Sequence, residues 1–237
     1  MNTDTRQIFT KFVEMTIYSC YISIGDVMTE KNIAKSAVEA LKKEYPKALC
    51  SLQYKDPFHL LIATRLAAQC TDNRVNMVTP ALFERFPTPY EFANSNVQEV
   101  EEYIKSCGLY KTKAKDIVAC SKMIVEKYDG EVPKTLEELI SLPGIGRKTA
   151  NLIMGDVYNA SGAVVVDTHC IRITRRLGLH NETDMKKIEF ILRELLPPDE
   201  SSDFCHRLVM HGRAVCTARK AMCEDCCMKD FCKKKSI

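Results

Sequence analysis

The chain has no apolar run long enough to cross a membrane. Its best N-terminal candidate, residues 12–24, is interrupted by Glu14 and by polar side chains, whereas a span needs about 20 mostly apolar residues. The same region lacks the small-residue cleavage site of a secretory signal. Strand patterns are almost absent. Only AVVV at 163–166 reads as extended, and it is too short and isolated to build a sheet. There is no internal repeat and no low-complexity tract. Excess charge is also scarce: the formal net charge is +3, so bulk charge does not announce a polyanionic partner.

The 237 residues are 46% hydrophobic, enough for one large or two small domains. Twelve cysteines without a signal segment argue against a disulfide scaffold. Thiols kept reduced for metal binding fit a cytosolic or nuclear setting better. Charge is unevenly distributed. Residues 204–237 carry eight Lys/Arg against three Asp/Glu. Lys111, Lys113 and Lys115 form a second basic cluster, and Arg172, Arg175 and Arg176 a third. A basic face is what phosphate binding needs; scattered solvated charge is the alternative.

Nearly every periodic segment reads as helix, so the fold class is all-α. Asp56-Pro57 is an N-cap followed by proline at the first helical position, ahead of Phe58, Leu61, Ile62 and Leu66 at helical spacing. Val97, Val100 and Ile104 form a stripe expected to end at Gly108 as C-cap. A longer helix around Ile117 and Ile124 closes at Asp129-Gly130. Thr135 and Glu138 suggest a capping box. Ile188, Leu192 and Leu195 mark a late helix stopped by Pro197-Pro198. The small polar stretch 159–162 is the best domain junction. Residues 1–27 carry no motif and read as an N-terminal extension, poorly ordered and outside the working enzyme.

Three motifs carry chemistry. Cys216, Cys223, Cys226 and Cys232 are spaced C-x6-C-x2-C-x5-C within 17 residues, so one compact loop delivers four thiolates to a soft metal centre. The spacing is neither that of a zinc finger nor the ferredoxin run; a structural zinc site with four cysteine ligands is the alternative. Arg219 and Lys220, between the first two cysteines, are expected to bind phosphate. Cys227 is a spare thiol. The second motif is LPGIGRK at 142–148. Pro143 interrupts a helix, Gly144 and Gly146 permit positive φ and close backbone approach, and the turn opens a helix whose first N–H groups suit a phosphate. An ordinary Gly-rich hairpin is the bland reading. The third is Lys148 in the first turn of that helix, with Asp167 nineteen residues later. A helix N-terminus repels a cation and partial burial disfavours the ammonium, and both favour the neutral amine that attacks carbon. The simplest role of Asp167 is to cap the next helix.

LPGIGRKTAN, then VDTH, then the four-cysteine loop resemble the endonuclease III family in order and spacing, from about Met28 onward. The resemblance implies two helical domains with a DNA-binding cleft between them. One spans residues 50–160 and carries the helix-hairpin-helix motif. The other joins 28–49 to 161–237 and carries one [4Fe-4S] cluster on Cys216, Cys223, Cys226 and Cys232. It implies a monomeric DNA glycosylase and abasic-site lyase of the bacterial cytoplasm, acting on double-stranded DNA with damaged bases or abasic sites. Lys148 would be the nucleophile and Asp167 its carboxylate partner. Leu142, Gly144, Gly146 and Arg147 would meet the DNA backbone. AQCTD at 68–72 resembles a family turn whose Gln69 fills the gap left by a flipped nucleotide. GLY at 108–110 resembles a loop whose Leu109 wedges between bases. A mismatch- or adenine-specific glycosylase on the same fold is the catalytic alternative, and Lys148 argues against it. A non-catalytic hairpin module is the third reading, and it needs neither Lys148 nor Asp167.

Overall fold

The structure, a computed structural model, describes residues 28–234. The extension expected over 1–27 lies outside the described residues, as does Lys235. Eleven α-helices and one 3-10 turn make up the described chain, and no strand occurs among its residues. In chain order these are α1 (Glu30–Glu44), α2 (Pro57–Ala67), α3 (Asp72–Arg85), α4 (Pro89–Ala93), α5 (Val97–Ile104), α6 (Tyr110–Tyr128), α7 (Leu136–Ser141), α8 (Arg147–Asp156), α9 (Thr168–Leu177), α10 (Met185–Leu195), the turn Pro198–Glu200, and α11 (Ser201–Ala214).

Local chemistry starts and stops these helices. The Asp56 carboxylate accepts from the His59 N–H at 2.8 Å, which satisfies one of the orphan donors of α2. Asp129 takes the left-handed conformation at φ 52° and ends α6, with Gly130 following at φ 82°. Thr135 caps α7 through the Glu138 N–H at 3.3 Å, but the Glu138 carboxylate takes the Thr135 hydroxyl rather than the cap backbone. A full capping box stands instead at Thr88 and Glu91, ahead of α4. Gly108 is not the C-cap of α5, which ends at Ile104 with Lys105 as its cap. Gly108 serves a close approach between loops, described below.

The helices pack in two groups. In the first, α2 lies against α3, α6 and α8, with α4 and α5 on α6 and α7 on α8. In the second, α11 lies against α9 and α1, and α10 against α1. Contact between α8 and α11 joins the groups, and their buried apolar side chains form one continuous core. The apolar face of α1 is buried: Ile33, Ala37 and Leu41 all have 0% exposure. Each such side chain contributes about 1.5–3 kcal/mol if large and fully buried. The segment 163–166 is buried but is not a strand.

Candidate active site and nucleic-acid interface

The hairpin between α7 and α8 is built on one glycine. Gly144 has φ +73°, and a Cβ there would meet Asp116 Cβ at 2.7 Å and Arg65 Nε at 2.8 Å. Arg65 and Asp116 are ion-paired beneath the turn. Gly146 differs from expectation: it is the N-cap of α8 with φ −95°, and a Cβ there would meet nothing within 4 Å. Its use is therefore space in front of the helix, not a left-handed turn. Leu142 is 2% exposed, so only its backbone is available to a ligand. Arg147 is tied down by Glu189, Nε to Oε2 at 2.6 Å and Nη2 to Oε1 at 2.9 Å, and its guanidinium lies 5.4 Å from the Phe190 ring centroid.

Lys148, Asp167 and Gln69 line one cleft of about 410 Å³ between the two helix groups. Lys148 is exposed, so the partial burial expected of it does not occur; its place in the first turn of α8 does. Asp167 caps α9, its Oδ1 accepting the Cys170 N–H at 2.7 Å, while Oδ2 stands 3.2 Å from His169 Nδ1. Capping and cleft exposure coexist because the two carboxylate oxygens face different partners.

The same cleft holds a residue that sequence reasoning missed. Asp72 Oδ2 accepts from the Ser51 hydroxyl at 2.5 Å and from Arg213 Nη2 at 3.0 Å. Burial alone would push the Asp72 carboxyl up. Hydrogen bonds from Ser51 and Arg213, with the positive charges of Arg213 and Lys148, more than offset this and hold it below its ordinary range. The Lys148 ammonium is thus within electrostatic reach of Asp72. Asp72 stands in the quoted AQCTD turn; Ser51 and Arg213 carry no local signal at all.

Gln69 and Leu109 sit on adjacent exposed loops, both with left-handed backbones at φ 53° and 58°. Leu109 is 58% exposed, so it is not a core leucine. Arg219 and Lys220 are exposed. The two basic clusters are only partly surface. Lys113 is buried, its Nζ donating to the Leu66 carbonyl at 2.8 Å. Arg176 is buried as well, and Arg172 and Arg176 both face the cysteine loop. A long cationic side chain in each case found backbone carbonyls to satisfy its donors.

Cys216, Cys223, Cys226 and Cys232 all line one small void walled by Ile173, Leu177 and Met228. Cys227 does not line it. Arg176 Nη1 donates to Cys216 Sγ at 3.2 Å, the Met228 N–H points at Cys226 Sγ at 3.4 Å, and His211 Nε2 stands 3.4 Å from the same sulfur. Hydrogen bonding from Cys227 and His211 holds the Cys226 thiol below its ordinary range against the opposing effect of burial. Donors aimed at sulfur are what thiolate ligands require of their surroundings. Among the described residues, no three His, Cys, Asp or Glu side chains converge as they would on a single metal ion. The four cysteines line one void, and the N–H donors aimed at Cys216 and Cys226 suit thiolate ligands.

The HhH-GPD superfamily of base excision DNA repair proteins matches residues 62–198, a segment that includes the hairpin, Lys148 and Asp167. The chain is 47% identical over 204 residues to endonuclease III of Synechocystis sp., covering 86% of this chain and 93% of the relative. It is 36% identical over 195 residues to that of Escherichia coli K12, covering 82% and 92%. The chain belongs to the endonuclease III family. A solved structure described as a trapped endonuclease III–DNA covalent intermediate superposes with a TM-score of 0.82 at 37% identity, over 88% of this chain and 97% of that one. A non-covalent endonuclease III–DNA complex superposes equally well. The all-α architecture is therefore the endonuclease III fold. The family model ends before the cysteine loop.

Proposed function

We propose that this endonuclease III-family chain is a base-excision-repair DNA glycosylase with abasic-site lyase activity that releases oxidised pyrimidines. The observation that carries the reading is that Lys148, at the start of the hairpin helix, shares one cleft with Asp167 and Gln69. A damaged nucleotide turned out of the duplex would enter that cleft. Lys148 attacks C1′ of the sugar and the base leaves. The C1′–O4′ ring bond then opens to give a Schiff base, which acidifies the neighbouring sugar C–H, and β-elimination expels the 3′ phosphate and cuts the strand. Asp167 either accepts a proton from Lys148 or stabilises the cationic sugar.

The open space before Gly146 and the first N–H groups of α8 would receive a DNA phosphate, with the Leu142 and Gly144 backbones and the outer edge of Arg147 beside it. Gln69 and Leu109 would enter the duplex, and Arg219 and Lys220 would meet phosphates. Cys216, Cys223, Cys226 and Cys232 would hold one [4Fe-4S] cluster. When bound, that cluster supplies four strong iron–thiolate links that organise the C-terminal loop. The two helix groups would act as two domains, 50–160 and 28–49 with 161–237, on either side of the cleft. No helix of the described residues is long and apolar enough to cross a membrane, and we place the protein, as a monomer, in the bacterial cytoplasm.

The test is reductive trapping. Wild-type protein with a single-abasic-site duplex and borohydride should give one covalent protein–DNA adduct, and Lys148→Gln should give none while melting normally. Normal trapping of the variant would move the nucleophile elsewhere. A panel of single-lesion duplexes then defines the bases released.

A further inference from the structure

The loops that carry Gln69 and Leu109 touch through their neighbours. A Cβ on Gly108 would stand 3.2 Å from the Gln69 carbonyl oxygen, so glycine lets the two backbones approach closely. Beside this contact stand Cys107, 1% exposed, and Cys70, partly exposed. Both are free thiols, and they stand close enough to act on each other electrostatically. Two cations, Lys113 and Arg74, act on Cys107 from the surrounding helices. Each left-handed loop tip thus has a cysteine close by in the chain, Cys70 directly after Gln69 and Cys107 two residues before Leu109.

We propose that Cys70 and Cys107 are a reversible dithiol–disulfide pair that sets the spacing of the two loops and thereby DNA binding. The second half rests on the reading that Gln69 and Leu109 enter the duplex. The co-reactant is a low-molecular-weight disulfide, RSSR. Cys70, the more exposed thiol, attacks as thiolate: a Cys70–S–SR bond forms, the RS–SR bond breaks, and one RSH leaves. Cys107, 1% exposed, is out of reach of RSSR itself and serves as the resolving thiol. It loses its proton as it attacks Cys70 sulfur, the mixed disulfide breaks, and a second RSH leaves. Two protein thiols are oxidised by two electrons and one RSSR is reduced to two RSH. A covalent S–S bond is shorter than a contact between thiols, so closing it draws the loops together and displaces both tips.

The experiment treats the full-length holoprotein with glutathione disulfide without oxygen, maps the cysteines by non-reducing peptide mass spectrometry, and measures affinity for a duplex with a non-cleavable abasic analogue. The expected results are a peptide linking Cys70 to Cys107 and a loss of affinity of roughly tenfold, the scale of losing one well-packed interface side chain, reversed by dithiothreitol. Cys107→Ala should bind as the reduced protein does and be insensitive to oxidation. If Cys70 is consumed without that linked peptide, the pair does not exist. If the linkage forms, binding is unchanged, and Gln69→Ala and Leu109→Ala still weaken binding, control of the loops is refuted while the loop assignment survives. If those two variants bind normally, the loop assignment itself falls, and with it the binding half of the proposal; the linked peptide still decides the pair.

Discussion

Arg147 and Glu189 are joined by two hydrogen bonds across 42 residues, at 2.6 Å and 2.9 Å. Glu189 is 3% exposed, and Arg193 adds a third contact at 2.9 Å. A buried carboxylate must be paired or it costs heavily. The pair therefore fixes the first residue of the hairpin helix to α10, and Lys148 follows directly behind it.

Arg147→Met should accordingly act on stability first. It leaves Glu189 with Arg193 alone, and we expect a loss of about 2 kcal/mol, the scale for removing one partner of a buried charged group. The measurement is the denaturant midpoint at constant m-value. An unchanged midpoint would show that Arg193 alone satisfies the carboxylate, and would free Arg147 for phosphate.

The two hairpin glycines should separate cleanly. Gly144→Ala forces a Cβ to 2.7 Å from Asp116 Cβ at a positive φ, so it should destabilise by ~1–3 kcal/mol. Gly146→Ala meets nothing and should stay within about 0.5 kcal/mol of wild type. If a phosphate occupies that space, the same methyl group should nonetheless weaken DNA binding. Equal DNA affinity for Gly146→Ala and wild type would take the phosphate away from this helix end.

What was legible in the sequence was what is settled within about four residues. Asp56 capping α2 and Asp167 capping α9 each depend on a side chain and a backbone N–H three residues on, and Asp129 ends α6 through its own left-handed backbone. The cysteine loop was legible for the same reason, since its four thiols sit in one short segment. The Asp72 network was not: Ser51 lies 21 residues away and Arg213 lies 141 away, and only packing brings them together. Charge misled where tertiary structure offered carbonyls. Lys113 and Arg176 read as surface cations, yet each buries its stem and spends its donors on backbone oxygens. Gly108 misled for a related reason, because its neighbour is the Gln69 carbonyl from another helix–loop unit.

Asp167→Asn tests whether the cap and the chemistry can be parted. Asparagine caps a helix about as well as aspartate, so melting temperature should change little. Turnover on a lesion duplex should fall by about 10²-fold or more, the range of a positioned acid–base group. DNA affinity should hold or rise slightly, because a carboxylate in a phosphate-lined groove does not aid binding. A large loss of affinity with normal turnover would refute the catalytic role.

Asp72 gives a pH dependence whose sign follows from its surroundings. In the folded protein Ser51, Arg213 and Lys148 hold the carboxyl below its ordinary range against the effect of burial, whereas unfolded it returns to about 3.9. The ionised group therefore contributes stability that is fully present above about pH 4 and is lost as pH falls through the folded value. Asp72→Asn lacks that contribution at every pH. Wild type should melt higher than the variant by a constant margin from about pH 5 to pH 7, and the margin should shrink progressively below about pH 4. Arg213→Gln should reduce the margin at neutral pH, since it removes the 3.0 Å contact that favours the charged form. Paired thermal melts across this range are the measurement. A margin that stays constant down to about pH 3, or widens, would mean that Asp72 is not held charged by these partners.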